Sequence, residues 1–272
     1  MRFVAPERAA VDSRLFEQPV FAGLWRFRDL LQGPSWPDML AMNSRIQPLQ
    51  HRVTGRPLAL LAQETIDDQD NYERRIFQRG LIATRSGNWH DLLNALVWNQ
   101  FPAIKSALNA GQVEDMARVG LQQRTRRQCA FTQFDEAGAI VVLRQARLLA
   151  LWDSHDWDGL FRLNRDAWED GSITLQIFGH ALFEHALNQD MLLVSKTLVI
   201  LDQDNSIGED AIDGRIAAAI TAGHCLGDPQ ELRPLPLSGI PGWHRQAQDA
   251  GFYRDQPCFR PVRTGRIYPE PL

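Results

Sequence analysis

The sequence predicts an α+β fold: a mainly helical single domain with a small, mostly antiparallel sheet and a Pro-rich C-terminal arm. Three observations predict it. Apolar residues recur at helical spacing through most of the 272-residue chain, with capping residues and glycine stops between the repeats. Short apolar, β-branched runs near 57–63, 128–143 and 191–201 supply the strands. From 231 onward the chain is rich in Pro and Gly, yet Leu, Ile and Trp alternate with the prolines, so an ordered arm fits better than a disordered tail. Its prolines exclude helix and central strand over residues 232–243.

The elements follow in order. Residues 1–50 read as short helices broken by Pro and Gly, a lead-in to a core spanning 50–230, with the arm over 231–272. After the loop at 33–37 a helix restarts with Pro37 as its first residue. A short buried strand over 56–63 is followed by an acidic loop holding Glu64, Asp67, Asp68 and Asp70, which lacks the length and glycine of an EF-hand. Residues 72–80 form a helix stopped by Gly80, and 81–85 deliver the chain to a central helix.

Asn88 caps that helix, Asp91 complements its dipole, and Pro102 bends or interrupts it. A helix near 111–124 follows. Residues 128–134 and 139–143 then read as a hairpin turning at Asp135, Glu136, Ala137 and Gly138. Residues 144–168 read as two helices, the second capped by Ser154 and ended by Gly171. A helix over 178–187, a strand over 191–201 and an Ala-rich helix over 210–222 complete the core.

Composition narrows the function. The chain is 44% hydrophobic and 23% charged, as a globular core requires. A net charge of −4 does not favour nucleic acid as a partner. The basic run over 118–127 can meet phosphate, but it reads more readily as a solvated helix end. Cys129, Cys225 and Cys258 are far apart and form no CxxC pair, so reduced thiols and a cytoplasmic location are expected. The N-terminus lacks the apolar stretch of a signal peptide, and no run of about 18 apolar residues predicts a membrane span.

Candidate chemistry concentrates in residues 84–105. On a helical wheel Leu92, Leu93, Leu96, Val97, Ile104 and Ala107 fill one arc. His90, Asp91, Asn94, Trp98, Phe101, Lys105 and Asn109 fill the next. A merely solvated face carries Glu, Lys and Gln; this one carries residues that are costly to leave in water. It reads as a pocket wall, with His90 and Asp91 for a metal or for acid–base work, and Asn94 to orient a ligand. Arg85 and Lys105 would meet an anion. The competing reading is a polar seam packed under another element, with Asn94 and Asn109 the most structural members.

The second constellation is His180 and Glu184, four apart and so on one helix face. They make a pair of metal ligands or a base with its orienting partner, without the second His of HExxH. Asp135 and Glu136 read either as metal ligands or as turn residues. The expected catalytic and metal-binding set is therefore His90, Asp91, His180 and Glu184, with Arg85, Asn94, Trp98 and Lys105 binding the ligand. This describes a metal-assisted hydrolase for a phosphoester-like substrate, with a divalent metal as cofactor and a site between the 88–105 and 178–187 helices. The alternative is a non-catalytic module that takes a peptide or protein partner on the flank of Trp89, Trp98 and Phe101 and the Pro-rich arm.

Several motifs stand together: Tyr72-Glu73 before Gly80, Thr84-Arg85, Asn88-Trp89-His90-Asp91, Asn94 to Trp98, Phe101-Pro102, Lys105 and Leu108-Asn109. Further on come Phe134 to Gly138, Phe178-Gly179-His180-Ala181-Leu182 with Glu184, and Arg233-Pro234-Leu235-Pro236. Over roughly residues 50–245 these resemble a bacterial family known as domain of unknown function 3025. The resemblance implies an intracellular bacterial protein and brings no assigned activity with it.

Overall fold

Two sheets and the helices around them share one apolar core that runs from Leu15 to Phe259. The computed structural model describes residues 3–46, 49–66 and 70–272. Asp67 and Asp68 of the acidic loop lie outside them.

The lead-in is three 3-10 segments, Arg8–Ala10, Ser13–Glu17 and Pro19–Phe27, running into α1 (Arg28–Leu31). Arg8 pins it. Its guanidinium donates to the carbonyls of Leu30 (2.8 Å), Gln32 (3.0 Å) and Gly33 (3.1 Å) and lies 5.0 Å from the ring centroids of both Trp36 and Trp89. A buried cation needs such partners to remain charged. α2 (Met39–Ile46) begins two residues after the expected Pro37, because the Asp38 carboxylate accepts from Ala41 N (2.7 Å) and sets the start.

β1 (Ala59–Ala62), α3 (Tyr72–Arg79) and β2 (Leu81–Thr84) form a parallel crossover. Asn71 caps α3, and Gly80 ends it at φ 72°, where a Cβ would also lie 2.0 Å from the Pro57 carbonyl oxygen. α4 (Trp89–Gln100) follows, capped by Asn88, whose side chain accepts from Asp91 N as expected. Pro102 interrupts the helix as expected: α4 ends at Gln100, and Pro102 is the first residue of α5 (Pro102–Val119), which replaces the helix expected near 111–124. The next two amides, of Ala103 and Ile104, donate to the Asp213 carboxylate at 2.9 Å each. That bond ties α5 to a helix a hundred residues later.

The expected hairpin over 128–143 is corrected. Residues Arg126–Ala137 are α6, and only Gly138–Leu143 is a strand, β3. Thr125 and Gln128 form a reciprocal capping box that outweighs the strand preference of Cys129, Phe131 and Thr132 after them. The chain passes from helix to strand without a loop, because a Cβ on Gly138 would lie 2.2 Å from the Phe134 carbonyl oxygen. Around α6, Arg118 pairs with Asp115, Arg126 with Asp228 and Arg127 with Glu114, while Arg124 donates to the Gln128 carbonyl and the Thr132 hydroxyl, so the basic run is a largely paired helix-end cluster.

α7 (Ala146–Asp153) leads through a single π turn, Asp158–Leu163, to α8 (Arg165–Glu169). Ser154 does not cap a following helix. Its hydroxyl donates back to the carbonyls of Ala150 and Leu151, and Asp156 instead accepts from Gly159 N. β4 (Ile173–Ile177), α9 (His180–Ala186), β5 (Val194–Leu201), α10 (Glu209–Thr221) and β6 (Arg233–Pro236) follow.

The larger sheet has the order β4-β3-β5-β6, with β3 antiparallel to β4 and parallel to β5, and β6 antiparallel to β5. With the parallel β1–β2 pair, pairing is mixed rather than mostly antiparallel. β3 is buried throughout, as a central strand between two neighbours must be. The Pro-rich arm is not merely draped: β6 tolerates Pro234 and Pro236 because it lies outermost among the named strands, and α11 (Ala250–Asp255) lies farther on. The last residue, Leu272, continues the ladder by exchanging bonds with Val199 and Leu201. No helix among the described residues is long and apolar enough to cross a membrane.

Candidate functional site

Two junctions bring α6 and α9 together. The amides of Phe178 (3.0 Å) and Gly179 (2.8 Å) both donate to the Gly138 carbonyl. The Phe178 ring stacks on Phe134 with centroids 4.8 Å apart and meets Phe101 edge-on at 5.5 Å. Gly179 fits where a Cβ would lie 2.4 Å from Gly138 N and 2.6 Å from the Glu136 carbonyl oxygen. His180 at the start of α9 is thereby clamped beside Asp135 and Glu136 in the last turn of α6. Two carboxylates at a helix C-terminus oppose the dipole at about 0.3–1 kcal/mol each.

α4 completes the cluster. His90 and His180 face each other with Nε2 atoms 2.9 Å apart and ring centroids at 4.3 Å. Glu136 brings a carboxylate oxygen to 3.6 Å from His180 Nε2. One ligand atom from each of His90, Glu136 and His180 lies within 4.8 Å of the others. Behind them sits a second row of carboxylates. Glu184 Oε2 is 2.9 Å from His90 Nδ1. Asp135 Oδ2 is 3.8 Å from His180 Nδ1, which is buried without a hydrogen-bond partner.

The electrostatics fix a protonation pattern. The hydrogen bond to Glu184 outweighs burial and raises the His90 pKa above its ordinary value. Burial, with Lys105 and His90 adding to it, drives His180 down to about 3 despite Asp135. His90 is thus the more basic of the two imidazoles, with Glu184 at its Nδ1 and its Nε2 facing His180 Nε2. A cation between the rings would take both inward lone pairs. With metal–nitrogen bonds of about 2.0–2.1 Å, nitrogens 2.9 Å apart subtend roughly 90° at the ion, and tetrahedral ligation asks only about 0.4 Å more separation.

The cluster forms one side of a cavity of about 310 Å³. Lys105, almost wholly buried, donates from Nζ to Asp135 (2.6 Å) and Asn94 (2.8 Å) and lies 5.2 Å from the Trp98 ring centroid. Burial raises the Asp135 pKa, and Lys105 with His180 more than reverses this, leaving it lowered. Burial raises the Glu136 pKa against the pull of His90. Asn94 also donates to Tyr72 Oη (3.0 Å), and Asn109 joins His51 (3.0 Å) to Glu73 (2.6 Å). The Glu73 carboxyl, which lines the same cavity, is pushed up to about 6 by burial.

Of the expected residues, His90, His180 and Glu184 converge, as do Asn94, Trp98 and Lys105 along the cavity. Asp91 does not join the imidazoles: its carboxylate is taken by Arg85, through the backbone amide (2.6 Å), Nε (3.0 Å) and the guanidinium end (2.7 Å). Glu184 stands behind His90 rather than on its inward face. The third inward group is Glu136, which a turn reading had obscured. Trp89, Trp98 and Phe101 are only 3%, 2% and 3% exposed, so they form core and not a surface groove. Tyr72, Glu73 and Gln112 were not expected to line the cavity.

A family model described as protein of unknown function (DUF3025) matches residues 58–263. No curated protein and no solved structure matches the chain.

Proposed function

The chain belongs to the DUF3025 family, and from the geometry of its cavity we propose a metal-dependent hydrolase that binds one divalent cation through His90, His180 and Glu136. The observation that carries this reading is the pair of Nε2 atoms at 2.9 Å, each imidazole having a carboxylate near its far nitrogen. Glu184 holds the His90 ring and raises its basicity, the usual outer partner of a metal-bound imidazole. Two His and one carboxylate leave open positions for water and substrate, as in catalytic zinc sites.

Arg85 and Lys105 are both committed, to Asp91 and to Asp135, so neither is free to clamp a phosphate. An uncharged ester or amide therefore suits the cavity better than the phosphoester read from the sequence. Its volume of about 310 Å³ fits a small substrate. Glu73, which lines the same cavity and whose carboxyl burial raises to about 6, would be the group to exchange a proton with the leaving group.

The test is calorimetric titration of chelator-treated protein with Zn²⁺ and Mn²⁺, followed by a panel of small esters, amides and phosphodiesters. One ion should bind per chain, and hydrolysis should depend on it. His90→Ala, His180→Ala and Glu136→Gln should each lose both. Equal metal affinity in wild type and all three variants would remove the proposal.

A further inference from the structure

A second, larger cavity of about 580 Å³ lies against the outer part of the four-stranded sheet, away from the His90–His180 cluster. Val194 and Lys196 present one face of β5, Leu192 lies just before the strand, and Pro234 of β6 sits beside Lys196 in register. The wall is the C-terminal arm, which contributes Arg260, Arg263, Arg266 and Tyr268.

Four cations therefore face one space, and no Asp or Glu among the described residues lines it. None of the four has an ion-pair partner among the described residues. Arg260 donates only to the Pro257 carbonyl (3.3 Å). Arg266 donates to the Gln230 carbonyl and lies 4.6 Å from the Tyr268 ring centroid. Burial, with Arg266 and Arg263 adding to it, lowers the Lys196 pKa. Arg118, Arg126 and Arg127, by contrast, each have a carboxylate partner. In a protein of net charge −4, a cavity lined by four cations is a local exception; Asp228 acts on Arg266 from outside the lining, and the like charges gathered in the cavity favour entry of an anion.

We infer that this cavity is a binding site for a small polyanion, an organic di- or polyphosphate by class, held by Lys196, Arg260, Arg263 and Arg266. Guanidinium groups match phosphate oxygens in pairs, and the Lys196 ammonium adds a further charged contact. Lys196 is half-buried on the sheet, so only a group that enters the cavity reaches it, and a volume of about 580 Å³ suits a ligand of nucleotide size. α6 contributes Gln133 to this cavity and Glu136 to the other, so one helix lines both.

The experiment is calorimetric titration of the full chain with inorganic tripolyphosphate at low salt, with chelator present so that no metal at the His cluster contributes. Saturable binding of one equivalent is expected. Lys196→Met and Arg266→Gln should each weaken it about tenfold or more, as loss of a charge-assisted contact implies. Arg260→Ala/Arg263→Ala alters only exposed side chains and should weaken binding with an unchanged melting temperature, which keeps the test decisive if Lys196→Met fails to fold. The inference is overturned by absence of saturation at millimolar tripolyphosphate, or by variants that bind like wild type. Tighter binding of a short single-stranded oligonucleotide, lost in the same double variant, would also overturn it in favour of a nucleic-acid groove.

Discussion

Replacing Lys105 by Met tests how the cavity is held together. Lys105 is 5% exposed, and its ammonium makes bonds of 2.6 Å to Asp135 and 2.8 Å to Asn94. Met preserves most of the stem and removes the charge. Breaking a fully buried pair costs about 3–5 kcal/mol, because the remaining charge is stranded. The Asp135 side chain keeps 30% of its exposure, so water recovers part of this, and about 2–3 kcal/mol is expected at pH 7. The penalty is pH-dependent. In the wild type the Asp135 pKa is lowered, so its stabilisation is present above the unfolded carboxyl value and is lost as pH falls through the folded one. Without Lys105 the raising effect of burial dominates, and the variant is relieved as pH falls towards about 4. Urea unfolding at several pH values, with Lys105→Met/Asp135→Asn alongside, measures both effects. The double variant should be more stable than the single one at pH 7. A deficit that is constant with pH, or a double variant no better than the single, would refute charge pairing as the cause.

Three further outcomes follow from the same geometry. Glu184→Gln should lower Zn²⁺ affinity about 10–100-fold with little change in melting temperature, since the residue orients His90 without lying on its inward face; unchanged affinity in calorimetry would show that it has no such role. Glu73→Gln should stabilise the protein by about 1–2 kcal/mol above pH 7 and by almost nothing at pH 4. The carboxyl is held near 6, so its protonated form favours folding and that stability is lost as pH rises through 6; a pH-independent effect in denaturant melts would contradict this. Gly179→Ala should cost more than about 2 kcal/mol and weaken metal binding at least tenfold, because a Cβ 2.4 Å from Gly138 N forces α9 away from α6. A variant with wild-type melting and metal affinity would show that the junction is not rigid.

Local signals were legible wherever chemistry acts over a few residues. The Asn88 cap, the Gly80 stop and the i, i+4 relation of His180 and Glu184 all follow from backbone geometry that a sequence displays directly. The α+β class followed from periodicity. Residues 128–134 misled because Cys, Phe and Thr favour strands, while the capping box that decides the segment spans only Thr125 and Gln128. That one misreading hid Glu136, since an acid in a turn looks ordinary and an acid at a helix C-terminus does not. Asp91 misled for another reason. Its nearness to His90 in sequence says nothing of χ1, and the Arg85 amide and guanidinium decide where its carboxylate points. The aromatic flank was read as a ligand surface because Trp and Phe serve cores and pockets equally, and only tertiary packing separates the two.

The most direct test is an anomalous-scattering map from crystals of the full chain soaked with Zn²⁺. The account predicts a single strong peak about 2.0–2.2 Å from His90 Nε2, His180 Nε2 and a Glu136 carboxylate oxygen, with Glu184 still bonded to His90 Nδ1. An ion held elsewhere, or a site that lacks either imidazole, would contradict it.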